Sequence, residues 1–168
     1  MVSGRFADAG TARRRLVTNV LAPPGWTNFV LANPAERGRD GETPPVTWTP
    51  DFARLFGEVN DQVNEDIAAC EADVDKPWRV WPPDGCCHDF ACTKRSVFMQ
   101  DDGIPSSCLL LAEVQIPDAE YHLVLVVRTT NGQITLDNLT PALLTWPPPG
   151  YNLVKMQSAA NPDLWEKV

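Results

Sequence analysis

Two apolar runs separated by a turn pair constrain this chain more than any other stretch. Tyr121 to Thr129 and Gln133 to Leu136 read as strands, and Asn131-Gly132 stands between them. That dipeptide is a strong hairpin signal, because both residues tolerate the positive φ of a tight turn. Cys108 to Ile116 predicts a further strand just upstream, and Tyr151 to Met156 one last strand after the loop at Trp146 and Pro147 to Pro149. Ahead of the strands the pattern is helical. Thr49 as N-cap, Pro50 at the first helical position and Asp51 in the first turn start a helix. Phe52, Leu55, Phe56, Val59, Val63, Ile67 and Cys70 then recur at helical spacing, which predicts a helix over about 50–71. Glu58, Asp61, Gln62, Glu65 and Asp66 fall off this stripe and are expected to face water. A second helix is expected from Cys87, burying Phe90, Ala91, Val97 and Phe98 and stopping at Asp101 to Pro105. Helices followed by antiparallel strands indicate the α+β class.

The 168 residues, 43% of them apolar, suffice for one domain with a sizeable core. Residues 1–48 carry Pro23, Pro24, Pro34, Pro44 and Pro45 among glycines and charges, and read as an N-terminal extension on a domain over 49–168. Trp26 and Phe29 to Ala32 are expected to pack on that domain. A net charge of −8 argues against nucleic acid and anionic membrane surfaces as partners. No stretch approaches the roughly 18 to 20 apolar residues of a membrane span, so no membrane insertion is expected. Arg13 to Arg15 followed by Leu16 to Ala22 imitate a signal peptide, but Thr18 and Asn19 interrupt the run, and the reading is against one. Five cysteines at no scaffold-like spacing favour a reducing, cytoplasmic setting.

Asp84 to Phe90, Asp-Gly-Cys-Cys-His-Asp-Phe, delivers a thiol from a turn into the first turn of a helix. Unpaired backbone N–H groups and the positive end of the helix dipole there favour thiolate. Cys87 is therefore the candidate nucleophile, and its own N–H a candidate oxyanion donor. The chain has two histidines. His88 is a helical neighbour of Cys87 and points about 100° away. His122 begins the apolar strand and reads equally as a solvent-facing strand end or a base. Asp137, on the partner strand, reads as a turn residue or as the carboxylate that orients His122. A strict two-residue turn at Asn131-Gly132 would pair Asp137 with Val126, leaving it roughly 13 Å from His122. Joining the two requires a bulge, another turn or strong twist. Cys86, Cys87, His88 and Cys92 form a rival zinc set, disfavoured because Cys87 and Cys92 diverge on a helix.

Cys-His-Asp-Phe-Ala at 87 to 91, His-Leu-Val-Leu-Val-Val at 122 to 127 and Leu-Asp-Asn at 136 to 138 resemble the bacterial transglutaminase-like cysteine proteinases. Val59-Asn60, Val63-Asn64 and Tyr151 to Ser158 extend the resemblance over about residues 52 to 168. It implies a papain-like or transglutaminase-like core, with the nucleophile helix packed on an antiparallel sheet. It also implies a protein or peptide substrate, with Cys87 as nucleophile, His122 as base and Asp137 as orienter. The expected activity is peptide or amide hydrolysis. Acyl transfer to an amine on the same triad is the alternative, and a non-catalytic, phage-derived binding module a third reading. The family pattern at the nucleophile is Gly-Asp-Cys-Glu-Asp, whose acidic residues bind calcium in some members. Here Cys86 and His88 replace two of the acids, so no cofactor and no metal are expected, the family calcium site reading as lost.

Overall fold

The computed structural model describes residues 18–70, 76–117 and 121–167; the Arg13 to Val17 part of the signal-like stretch lies outside them. The chain runs through β1 (Thr18–Leu21), α1 (Pro24–Ala32), α2 (Pro50–Asp66), β2 (Ala68–Ala69) and β3 (Asp84–Gly85) to α3 (Cys87–Gln100). It then builds β4 (Leu109–Gln115), β5 (His122–Thr129), β6 (Gly132–Asp137), β7 (Thr140–Thr145), β8 (Asn152–Gln157) and β9 (Leu164–Lys167). Seven of these strands form one antiparallel sheet in the order β1-β9-β8-β4-β5-β6-β7. The α+β class read from the sequence holds, with the helix that begins at Cys87 laid on the sheet.

Alternation along the central strands divides the core. Leu109, Leu111, Leu123, Leu125 and Val127 face the helices and join Phe56, Val63, Phe90 and Phe98. Leu110, Ala112, Val114, Val124 and Val126 face the other way and meet Trp146, Tyr151, Leu153 and Met156. A period of two puts successive side chains on opposite faces, which is why both faces of β4 and β5 are buried. The residues before Thr49 take part in this core: β1 pairs with β9 at the sheet edge, and Trp26 and Phe29 are 1% and 3% exposed.

Three details differ from the sequence reading. α2 stops at Asp66, and Ile67 is already extended (φ −100°, ψ 118°), because the chain turns there to pair β2 with β3. α3 buries nearly its whole circumference, including Lys94 and Arg95, so it is a central helix where one apolar face was expected. Arg95 is accommodated by the carbonyls of Leu109, Glu36 and Arg37, which tie residues 36–37 to the helix.

The hairpin turn is the third difference, and it places the site. β5 and β6 pair as Thr129↔Gly132 through Leu125↔Leu136, so Thr130 and Asn131 form the loop and Gly132 (φ +105°) takes the left-handed conformation after it. Asn131 does not have positive φ, so the type I′ turn that Asn131-Gly132 suggests is not made. Centring the loop one residue earlier moves every β6 residue two positions along β5. Continuing the register sets Asp137 opposite Val124, on the face and at the diagonal position next to His122.

Candidate active site

Cys87 is the first residue of α3, and Cys86 is its N-cap. Cys86 N donates to Asp89 Oδ2 at 3.0 Å, the reciprocal half of a capping box. Asp89 is fully buried and also accepts from Arg79 N at 2.8 Å and Arg79 Nη2 at 3.1 Å. The same Nη2 donates to Asp84 O at 2.8 Å, so the preceding loop is tied to the first turn of the helix. Gly85 is required by the close approach: a Cβ there would lie 2.8 Å from Asp89 Cβ.

The Cys87 thiol is half-buried and lines one cleft with His122, His88 and Leu123. Burial pushes the thiol up, but His122, with His88 and the Leu123 backbone, outweighs it and brings it down to about 6. His122 is 6% exposed, and its Nε2 lies 2.7 Å from Asp137 Oδ1. That leaves Nδ1 as the ring nitrogen available to the thiol. Burial alone would lower the imidazole, yet Asp137 and Cys87 together raise it to about 9. Desolvation would raise Asp137, and the partners that hold it low are His122, the Tyr151 hydroxyl and the Leu139 N–H. Tyr151 Oη donates to Asp137 Oδ2 at 2.6 Å, and Leu139 N donates to Oδ1 at 3.0 Å. Both carboxylate oxygens are therefore satisfied at a site 1% exposed.

The three candidate residues come together. His122 is not the solvent-facing strand end that its position alone allows, and Asp137 reaches it through the register described above. His88, a helical neighbour of Cys87, stacks its ring on Trp78 (5.6 Å between centroids, 11° between planes) and lines the same cleft as Cys87. Tyr151 was read only as the start of a strand; its contact with Asp137 is a tertiary one that no local pattern announces. Cys92 is 1% exposed and stays apart from the rival zinc set, its thiol pushed up by burial. Among the described residues, a metal-sized grouping does arise from Cys86, His88 and Asp89, whose ligand atoms lie within 4.8 Å of one another.

Cys87 and His122 open onto a cleft of about 200 Å³ bounded by Pro23, Pro24, Trp78, His88, Glu113, Tyr121 and Leu123. Larger hollows of about 690 and 700 Å³ lie elsewhere, but no cysteine or histidine lines either. The backbone N–H of Cys87, at the first helical position, has no partner within the helix by geometry. Trp78 lines this cleft with its Nε1 packed against Gly25, and Trp81 is 45% exposed and does not line it.

A family model described as bacterial transglutaminase-like cysteine proteinase matches residues 16–168. Among solved structures, Legionella pneumophila LapG is similar at 22% identity with a TM-score of 0.54, over 67% of this chain and 67% of that one. Its calcium-bound form matches at 20% identity and TM-score 0.56, over 83% and 75% of the two chains. An EGTA-treated form matches at 23% identity and TM-score 0.53, over 63% of each. These likenesses show the transglutaminase-like fold. A search of curated proteins found no match.

Proposed function

The chain belongs to the bacterial transglutaminase-like cysteine proteinases, and from that membership we propose that it hydrolyses a peptide or peptide-like amide bond with Cys87 as nucleophile. The observation that carries this reading is the place of His122, its Nε2 2.7 Å from Asp137 Oδ1 and its ring lining the same cleft as Cys87, whose thiol it draws down. In this reading, Asp137 holds the imidazole with Nε2 protonated and Nδ1 toward sulfur, and stabilises the imidazolium. The thiolate attacks the carbonyl carbon, and the oxyanion that forms is met by the Cys87 N–H at the helix start. His122 gives its proton to the leaving amine, leaving a thioester. Water, deprotonated by His122, then attacks the thioester; the acid leaves and the thiolate is restored. The substrate is a protein or peptide segment able to lie in an open cleft, and the acidic surface charge disfavours nucleic acid.

The residues around Cys87 do not suit calcium, a hard cation that takes six to eight oxygens. Asp89 is the one carboxylate in the close grouping, its partners there are a sulfur and an imidazole, and the Arg79 guanidinium already sits on it.

Incubating the chain with an unfolded protein, with and without an excess of primary amine, tests the proposal. New peptide N-termini that vanish in Cys87→Ala support hydrolysis. Amine incorporation without new termini overturns it in favour of acyl transfer, and no turnover with a sluggish Cys87 overturns it in favour of a binding module.

A further inference from the structure

The cysteines outside the proposed mechanism are not alike. Cys92 and Cys108 are buried in the core, whereas Cys70 and Cys86 lie against one another, their sulfurs 2.8 Å apart. Backbone pairing produces this approach. β2 and β3 run parallel with Ala68↔Asp84 and Ala69↔Gly85 in register, and Cys70 N donates to Gly85 O at 2.9 Å. The next pair in that register is Cys70 opposite Cys86. Adjacent strands lie about 4.7–4.9 Å apart, inside the roughly 4.4–6.8 Å Cα window of disulfides.

We propose that Cys70 and Cys86 are a redox pair, forming a reversible disulfide that closes the base of the loop between them without consuming Cys87. The oxidant is a small disulfide such as glutathione disulfide. Cys70, the half-exposed member with Lys76 Nζ 3.8 Å from its sulfur, attacks first. The oxidant's S–S bond breaks, one glutathione leaves as thiolate, and Cys70 carries the other. Cys86, 3% exposed and in contact with Cys70, then attacks the Cys70 sulfur and expels the second glutathione. Two protein thiols are oxidised, one disulfide is reduced to two thiols, and the protons end on the glutathiones.

The enclosed loop carries Trp78, which walls the cleft and stacks on His88, and Arg79, which binds Asp89 beneath Cys87. Oxidation thus staples the wall of the cleft to the N-cap of the nucleophile helix. Because the pairing is a backbone register, it stands whether or not Cys87 is catalytic.

The test uses the full chain as wild type and as Cys87→Ala. Each is treated with excess glutathione disulfide, blocked with iodoacetamide and mapped by mass spectrometry, with melting followed before and after reduction by dithiothreitol. The expected result in both proteins is a Cys70–Cys86 linked peptide lighter by two hydrogens, with Cys87 of the wild type not bridged. A Tm higher by about 5 °C or more, reversed by reductant, accompanies it. Links through Cys87, stable glutathione adducts on Cys70 without a bridge, or an unchanged mass would each overturn the proposal.

Discussion

His122 Nε2 and Asp137 Oδ1 are 2.7 Å apart although the residues are fifteen positions apart on two strands, and the turn between those strands is what brings them together. Asp137 also holds the imidazolium form of His122, which sits at about 9. Asp137→Asn keeps the shape but removes the charge and favours the wrong tautomer. We predict a loss of roughly 10²- to 10⁴-fold in kcat/KM, with an unchanged far-ultraviolet circular dichroism spectrum as the check on folding.

Tyr151 completes the other side of that carboxylate. Tyr151→Phe removes one hydrogen bond to a buried charge, so stability should fall by about 1.5–3 kcal/mol in urea unfolding. Losing that donor should also let the carboxylate rise. Asp137 contributes stability that is present above the unfolded carboxylate value and lost as pH falls to its lowered folded value, so with that value less depressed the variant should lose less stability on acidification than the wild type.

Lys94 is buried with no hydrogen-bond partner for its Nζ among the described residues, and desolvation pulls it down to about 7. Between that value and the ordinary lysine range the unfolded chain holds a proton the folded chain lacks. Wild-type stability should therefore rise with pH over that window, by up to about 1.4 kcal/mol per unit from this group. Lys94→Met should be more stable than wild type at pH 7, with the advantage shrinking toward pH 10. Denaturant unfolding at several pH values measures it, and a constant difference would contradict the assignment.

Gly25 lets α1 touch the cleft wall: a Cβ there would lie 2.2 Å from Trp78 Nε1. An indole is rigid, so Gly25→Ala should displace Trp78 from His88 at a cost of about 1–3 kcal/mol. The displacement is visible as changed tryptophan fluorescence and as lower kcat/KM.

Much of this was legible in the chain. Thr49-Pro50-Asp51 marked the start of α2, the run from His122 marked β5, and Cys87 marked the start of α3, because each signal is local; Asp84-Gly85, read as a turn, instead forms β3 by pairing with β2. The turn was misplaced by one residue, since Asn131-Gly132 satisfies a type I′ turn in isolation while the paired strands settle on Thr130-Asn131 with Gly132 behind it. β7 escaped notice because Pro141 weakens a short run, and its place at the sheet edge is where proline is tolerated. The roles of Tyr151, His88 and Arg95 depend on partners far along the chain or on stacking, and no spacing rule encodes those.

In the proposed reaction Cys87 acts as a thiolate poised by His122. The rate of iodoacetamide alkylation of Cys87 across pH tests it most directly, with modification read by peptide mapping so the other thiols are separated. The expected midpoint lies near the value of about 6 that the site imposes and moves upward by at least two units in His122→Ala. A midpoint at an ordinary thiol value, roughly 8.5, unchanged by His122→Ala, would contradict it.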